Sequence, residues 1–361
     1  MKLTKPLLLT GLVLAVTFLA LPTVSAADKT VKIKNDYTIS SNSGGNRGNR
    51  SQNSDSNGNN SSEQGEESSE EEKVSETVEV PVNPKKVLVF DMGALDTITA
   101  LGKEDSVAGL PKSQNATDKL SDDMQEIYND DKYQDVGTLF EPNFETIASI
   151  QPDVIFLGAR MANSDNIEKL KEAAPDAVLV YASTDSEKDF SESVEERVTM
   201  FGKIYNQAKK AKNYNKKITK AMKKLKKSVK DKDAPSALFV MANSGELLSQ
   251  SPSGRFGWLF SEAGFTAVNS EEEASTHGSQ ISYEYLSEKN PYYLFVLDRG
   301  DAIGQGASAD ELLANDVLQD ADAIKNNRVL QVNAQDWYIN SGGVRVTLRM
   351  IKEVQDFINN H

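Results

Sequence analysis

Short apolar runs alternate with helix-like segments along most of the chain. The strand-length runs are KVLVF (86–90), SVAGL (106–110), DVIFLG (153–158), AVLVYA (177–182), SALFVMA (236–242), YYLFVLD (292–298) and RVLQVN (328–333). Segments such as ALDTITALG, NFETIASIQ and SDNIEKLKEAA lie between them and have helical periodicity. Strands that alternate with helices are typical of a parallel sheet in an α/β lobe. We therefore predict two α/β lobes, residues 27–185 and 231–361.

A long charged segment, residues 186–230, separates the two groups of strands. Its apolar residues recur at steps of four, three and four, which is helical spacing: Val194, Val198, Phe201 and Tyr205. The pattern predicts one long helix joining the lobes, or two nearly collinear helices if Asn213 interrupts it. The lysine-rich second half is interpreted as a solvated face and not as a nucleic-acid patch.

The N-terminus has the pattern of a secretory signal peptide. Lys2 and Lys5 precede the apolar run LLLTGLVLAVTFLAL, and the small-residue stretch TVSAAD follows it. The run is short for a membrane-spanning helix, so cleavage after Ala26 is favoured over an uncleaved anchor. We therefore predict that residues 1–26 are removed and that the protein is exported, to the cell surface or the periplasm.

Residues 41–73 contain no apolar side chain and are predicted to be disordered. The flanking stretches TVKIKNDYTI and VSETVEVPV both alternate with period two, as paired strands do. We interpret the tract as a long insertion in the loop of a hairpin within the first lobe. A plain linker, preceded by an unrelated strand, is the alternative interpretation.

Composition excludes several kinds of site. The chain has no cysteine, which excludes disulfides, thiolate metal sites, a cysteine nucleophile and a lipidated N-terminal cysteine. The formal net charge is −14, of which residues 51–80 contribute −8 through nine acidic residues and one lysine. Neither feature indicates binding to nucleic acid.

Five residues in predicted loops carry chemistry that suits an anionic iron chelate: Arg160, Arg255, His277, Arg299 and Tyr338. Guanidinium groups bind planar anions through paired hydrogen bonds, and phenolate and imidazole can both bind iron. Ligands of open α/β sheets bind beyond the carboxyl ends of the strands, where three of these loops begin. Taken alone, each residue is more often ordinary than functional: a loop arginine is usually a surface residue, a loop histidine is usually solvated, and Tyr338 could be a core aromatic.

Several motifs resemble the ferric-siderophore-binding proteins of ABC importers, a class III family of solute-binding proteins. The first lobe carries VFDMGALDTITALG, VAGLPK and VGTLFEPNFETIASIQPDVIFLGAR. The second carries SGRFGWLFSEAGF, THGSQISYEYLSEKNPYYLFVLDRG and VNAQDWYINSGG, which are similar to the catecholate and petrobactin branch. The resemblance implies two α/β lobes joined by one long helix, with the ligand in the cleft between them. It implies a binding protein without an intrinsic cofactor, and not an enzyme.

The resemblance also implies roles for individual residues. Arg160, Arg255 and Arg299 would surround the ferric catecholate. His277 and Tyr338 would fill the two iron positions that a tetradentate siderophore leaves open, whereas a hexadentate ligand would leave the pair unused.

Family members dock on the dimeric permease of the importer through one acidic residue on each lobe. The matching positions are Glu145 and Glu262, which could equally be ordinary exposed helix carboxylates. We expect a monomer that binds no nucleic acid. Without a lipidated cysteine, it would be free in the periplasm, secreted, or held by an uncleaved N-terminus.

Three other functions compete with this interpretation. A haem-binding receptor of the same fold would use His277 and Tyr338 as axial ligands. A siderophore esterase would need a nucleophile and a base, but His277 is the only internal histidine and no GxSxG elbow occurs. The scarcity of histidine also disfavours a zinc or manganese receptor.

Overall fold

A computed structural model describes residues 29–40, 71–273, 275, 278–306 and 308–361. The strands are β1 Thr30–Ser40, β2 Glu71–Pro81, β3 Val87–Val89, β4 Val107–Leu110, β5 Gln134–Asp135, β6 Val154–Leu157, β7 Val178–Tyr181, β8 Ser236–Asn243, β9 Glu246–Ser249, β10 Thr266–Ala267, β11 Ser279–Ile281, β12 Tyr293–Asp298 and β13 Val329–Gln331. The helices are α1 Met92–Ala100, α2 Asp122–Tyr128, α3 Phe144–Ile150, α4 Ser164–Ala173, α5 Phe190–Ile204, α6 Ala208–Lys230, α7 Trp258–Ser261, α8 Tyr283–Lys289, α9 Arg299–Ile303, α10 Ala309–Leu313, α11 Asp322–Lys325, α12 Ala334–Tyr338 and α13 Val344–Asn360. The predicted signal peptide lies outside the described residues.

The first lobe is built on a parallel sheet with strand order β5-β4-β3-β6-β7. Its central strands β3 and β6 are buried along their whole length, as expected for strands covered on both faces by helices. The apolar runs at 86–90, 106–110, 153–158 and 177–182 all contain strands of this sheet. The parallel sheet predicted for the first lobe is therefore confirmed.

An antiparallel hairpin of β1 and β2 covers the β7 edge of this sheet. Its register runs from Thr30 opposite Pro81 to Ser40 opposite Glu71. The buried Asn35 fixes the hairpin to β7, because its amide donates to Leu179 O (3.3 Å) and accepts from Tyr181 N (2.8 Å).

The pairing of β1 with β2 bears out the hairpin interpretation of their period-two patterns. It also corrects the insertion boundary, because residues 71–73 belong to β2, where they pair with 38–40. Residues 41–70 of the predicted insertion lie outside the described residues.

The second lobe has a mixed sheet with strand order β11-β9-β8-β12-β13, and β10 pairs with β8. Strands β8, β12 and β13 are parallel, whereas β9 is antiparallel to both β8 and β11. The predicted strands at 236–242, 292–298 and 328–333 are present. The helix-like run at 255–265 forms only the short helix α7.

The prediction of one long helix, or of two nearly collinear ones, over residues 186–230 is wrong. The chain reverses at Asn206, which has a left-handed φ of 52°, and α6 packs antiparallel on α5. The hydroxyl of Thr219 on α6 donates to Glu195 Oε1 on α5 (2.6 Å). A Cβ on Gly202 would lie 2.5 Å from Ala211 Cβ, so glycine allows the two helices to approach. Helix α6 alone leads into the second lobe.

A continuous apolar core joins the two lobes. It includes residues of β3, β8 and β12, together with the inner faces of α5, α6 and α13. Smaller clusters fill the outer face of each sheet. In the described part of the chain, no helix combines the length and the apolar character needed to cross a membrane.

Candidate functional site

Three of the predicted site residues follow parallel strands at their carboxyl ends. Arg160 lies in the turn after β6, Arg299 is the first residue of α9 directly after β12, and Tyr338 ends the short helix that follows β13. Arg255 lies in the loop between β9 and α7. The first lobe thus contributes Arg160, and the second lobe contributes the other three residues.

The three arginines converge on Tyr338. Its phenol oxygen accepts a hydrogen bond from Arg299 Nε (2.9 Å). Its backbone oxygen accepts from Arg255 Nη2 (2.6 Å) and Arg160 Nη2 (3.3 Å). The three guanidinium carbons lie 5.0–5.7 Å from the centre of the Tyr338 ring. We call Arg160, Arg255, Arg299 and Tyr338 the arginine cluster.

Among the residues that the structure describes, no ion pair neutralises the positive charge of the arginine cluster. Within the described part of the chain, none of its arginines lies within 4.0 Å of a carboxylate. Limited hydration and then the charge of Arg160 lower the pKa of Arg255 to about 10. A pKa of about 10 leaves Arg255 protonated at neutral pH. Such a concentration of uncompensated cations favours binding of an anion.

Hydrogen bonds of Asp298 and Asn243 hold Arg299 in place. The carboxylate of Asp298 caps α9 by accepting from Asp301 N (3.0 Å), and it also accepts from Ala309 N (2.6 Å). Asn243 accepts from Arg299 Nη1 (2.9 Å).

The short helix α12 is fixed to α13 by two side-chain contacts. Asp336 makes a bidentate ion pair with Arg349 (2.6 and 2.7 Å), and Trp337 Nε1 donates to Glu353 Oε2 (2.7 Å). These contacts fix the position of Tyr338 at the end of the helix.

His277, predicted as the partner of Tyr338, lies outside the described residues. Two neighbours of the arginine cluster were missed by sequence reasoning, Asn243 and Phe140. Phe140 is 60 % exposed, and the guanidinium of Arg160 lies 5.9 Å from the centre of its ring. Thr138 Oγ1 accepts from Phe140 N (3.1 Å) and orders the loop. For Phe140, the only sequence signal was an aromatic residue in the loop GTLFEP, residues 137–142.

The two acidic residues predicted to dock on a permease have different surroundings. Glu145 is exposed in the first turn of α3. Glu262 is 9 % exposed, and its carboxylate accepts from Ser191 N (3.1 Å) and from the Ser191 hydroxyl. Next to this contact Phe190 stacks on Trp258 with ring centres 6.0 Å apart. Glu262 therefore joins the second lobe to the start of α5 in this conformation, and its docking role stays a prediction.

The free energy of unfolding of the Glu262→Gln variant should fall less than that of the wild type as the pH rises. Burial raises the pKa of Glu262 above 4.5, and bonds from Ser191 oppose this. The folded state then binds the proton more tightly than the unfolded chain, so ionisation lowers the free energy of unfolding as the pH rises. Glutamine keeps an acceptor but cannot ionise. Urea unfolding measures the free energy of unfolding of both proteins at about pH 5 and about pH 7. The stability of the variant relative to the wild type should be greater at about pH 7 than at about pH 5.

The exposed Glu145 provides the control for this experiment. Glu145→Gln should differ from wild type by the same small amount at both pH values. A pH-independent difference for Glu262→Gln as well would contradict the account of the buried carboxylate.

A cavity of about 620 Å³ lies elsewhere in the second lobe. Residues such as Asn269, Glu272, Tyr285 and Lys289 line it, and none belongs to the arginine cluster. We place the candidate site at the arginine cluster because uncompensated charge converges there from both lobes.

Comparison with known proteins agrees with this architecture. Residues 87–335 match the family described as periplasmic binding protein. The chain belongs to this family. It is 39% identical over 278 residues to the petrobactin-binding protein YclQ of Bacillus subtilis, covering 77% of this chain and 84% of that protein. The YclQ crystal structure gives a TM-score of 0.72 at 36% identity and covers 79% of this chain and 95% of that chain.

Two further solved structures of periplasmic binding proteins are similar. The iron uptake ABC transporter substrate-binding protein PiuA of Streptococcus pneumoniae gives a TM-score of 0.66 at 29% identity over 78% of this chain and 95% of its own. The periplasmic catecholate-siderophore binding protein VctP of Vibrio cholerae gives 0.69 at 26% identity over 78% and 96%. These similarities confirm the predicted family and fold class. They also confirm that this periplasmic binding protein is not an enzyme.

Proposed function

We propose that the chain captures a ferric catecholate siderophore and delivers it to an ABC iron importer. The observation that carries this proposal is the convergence of Arg160, Arg255 and Arg299 on Tyr338, with no carboxylate partner among the residues that the structure describes. Guanidinium groups suit the oxygen atoms of an anionic chelate, and the similarity to the petrobactin-binding protein supports the same ligand class.

A haem receptor is the less favoured function. Haem buries a large apolar ring system and needs cations only for its propionates. Three arginines around one phenol offer more positive charge than haem requires, whereas the charge of a ferric catecholate is concentrated in a compact group.

We infer that Tyr338 binds iron together with His277 when the siderophore leaves two coordination positions open. The Tyr338 phenol oxygen accepts from Arg299, and a hydrogen-bonded oxygen of this kind keeps a lone pair for a metal. His277→Ala and Tyr338→Phe should each weaken binding of a tetradentate ferric catecholate by about tenfold or more. Equilibrium titration of both variants measures this effect.

A hexadentate ferric catecholate is the matched control for these variants, because its iron has no free position. Its affinity should change by less than about threefold, a difference worth well under 1 kcal/mol. Equal losses for the two ligands would mean that His277 and Tyr338 do not coordinate iron. Unchanged affinity for both ligands would have the same meaning.

Phe140 should contribute affinity for aromatic ligands. Its exposed ring lies beside Arg160, where an aromatic group of the ligand can pack against it. Phe140→Ala should weaken ferric catecholate binding by about 1 kcal/mol, or about fivefold, because aromatic pairs are worth about 0.5–1.5 kcal/mol. Titration with ferric citrate, which has no aromatic ring, should give the same Kd for both proteins.

Phe140→Leu separates the aromatic contact from apolar contact in general. Leucine keeps most of the apolar volume of phenylalanine but has no ring. The variant should therefore bind ferric catecholate more weakly than the wild type and bind ferric citrate with the same Kd. A Phe140→Leu variant with wild-type affinity for ferric catecholate would contradict aromatic packing.

Export, a monomeric state and docking on a permease dimer complete the proposal. The exposed position of Glu145 on α3 supports contact with a cationic partner. The periplasmic binding proteins to which this chain belongs support a location outside the cytoplasmic membrane.

A further inference from the structure

The outward surface of α6 consists largely of lysine. The helix contains eleven lysines and no aspartate or glutamate: Lys209, Lys210, Lys212, Lys216, Lys217, Lys220, Lys223, Lys224, Lys226, Lys227 and Lys230. All of them are exposed. The whole chain has a net charge of −14, so the residues outside α6 carry −14 − 11 = −25. Basic charge is thus concentrated on one element of an acidic protein.

The lysines lie opposite the face by which α6 packs. The buried residues are Ala211, Ile218, Met222, Leu225 and Val229, and the helix packs on α5 and α13. At 3.6 residues per turn, Lys216, Lys220, Lys223 and Lys227 fall in one row on the other side of the helix. We call this row and its flanking lysines the lysine face.

The lysine face has little internal compensation. Among the described residues, Lys227 with Asp231 is the one ion pair that involves these lysines. Like charges three or four positions apart destabilise a helix. The face therefore works against the stability of α6, and an anionic partner would relieve this repulsion.

We propose that the lysine face binds the surface of a bilayer that contains anionic phospholipids. The face extends along the 23 residues of α6, or about 35 Å, so several of its lysines can contact one plane at the same time. Polybasic segments are attracted to anionic lipid headgroups within a Debye length. The apolar residues of α6 are buried, so contact is electrostatic and reversible.

A nucleic acid fits the lysine face less well than a membrane does. Proteins that bind single strands combine a basic groove with aromatic platforms, whereas the lysine face lies on a single helix with one aromatic residue, Tyr214.

The chain has no cysteine that could carry a thioether-linked lipid. Electrostatic contact through α6 would hold the exported protein near its importer without one.

Co-sedimentation with vesicles tests the proposal, using residues 27–361, which contain every described element. The protein should bind vesicles of phosphatidylcholine with phosphatidylglycerol, and not vesicles of phosphatidylcholine alone. Binding should fall steeply as salt is added. The variant Lys216→Gln, Lys220→Gln, Lys223→Gln, Lys227→Gln should bind at least about tenfold less tightly.

A variant with the same change in charge elsewhere is the control. Lys169, Lys171, Lys325 and Lys352 are exposed outside α6, and their replacement by glutamine should leave vesicle binding within about twofold of wild type. Both variants should keep wild-type affinity for ferric catecholate, which shows that they fold. Absence of binding to the anionic vesicles, or equal losses for the two variants, would overturn the proposal. Equally tight binding of a single-stranded oligonucleotide, with the same loss on the α6 substitutions, would also overturn it in favour of a general polyanion site.

Discussion

Replacing Arg299 with alanine should weaken binding of a ferric catecholate by about a hundredfold. Arg299 carries one of three positive charges that have no ion-pair partner in the described part of the chain, and it donates to the Tyr338 phenol oxygen (2.9 Å). Its loss removes positive charge that attracts the anion. It also removes the hydrogen bond to the phenol oxygen that we propose as an iron ligand. Hydrogen bonds to charged groups are worth about 1.5–3 kcal/mol, which corresponds to about a hundredfold in Kd at the upper end. Titration followed by tryptophan fluorescence measures the change.

Two further substitutions show whether charge or geometry is responsible. Arg299→Lys keeps the charge but cannot donate to both Tyr338 and Asn243 from a rigid fork, so an intermediate loss is expected. Arg328→Gln removes a second-lobe arginine that pairs with Asp322 outside the arginine cluster, and it should leave the Kd unchanged. Equal losses for Arg328→Gln and Arg299→Ala would mean that net charge alone governs affinity.

Replacing Asp96 with alanine should lower the free energy of unfolding by about 3 kcal/mol. Asp96 lies on α1 with no exposed surface, and its carboxylate accepts from Arg345 Nε and Arg345 N, both at 2.7 Å. Burial raises the pKa of Asp96, and Arg345 opposes the shift. The substitution leaves a half-buried arginine on α13 without its inner partner. Urea unfolding at neutral pH measures the effect.

Asp123 provides a matched control because it pairs with the same arginine from the surface. Its side chain is 52% exposed, so Asp123→Ala should cost less than about 1 kcal/mol. Similar losses for the two alanine variants would contradict the distinction between the buried and the exposed carboxylate.

The sheets, and the loop positions of three residues of the arginine cluster, were the parts of the protein that local sequence could predict. Apolar runs of strand length identified the central strands, and alternation with period two identified β1 and β2. The loop positions followed from a general property of α/β sheets, in which ligands bind beyond the carboxyl ends of parallel strands, whereas the meeting of the side chains, including Arg255, is visible only in the structure. Arg160, Arg299 and Tyr338 all occupy such positions.

The reversal between α5 and α6 could not be predicted from local pattern. The turn residues Tyr205, Asn206 and Gln207 include no proline or glycine, and helical spacing of apolar residues continues from Val198 to Tyr205. The turn instead depends on the left-handed Asn206 and on the contact of Gly202 with Ala211, which forms only when the two helices pack.

The burial of Glu262 likewise depends on distant residues. Its sequence surroundings are those of an exposed helix carboxylate, but its hydrogen-bond partner Ser191 lies 71 positions away in the other lobe. The surroundings of Phe140 also involve a residue outside its own loop, because the guanidinium of Arg160 lies 5.9 Å from the centre of its ring.

A single ligand comparison tests the central claim most directly. Trp258 and Trp337 are buried with ring centres 5.3 Å apart, and Trp337 directly precedes Tyr338, so a bound iron chelate should quench their fluorescence. The measurement is a titration of residues 27–361 with a ferric bis-catecholate, a ferric hydroxamate and haem. We expect saturable quenching by the ferric catecholate at concentrations where the other two have little effect. Tighter binding of haem, or no binding of the ferric catecholate, would contradict the account.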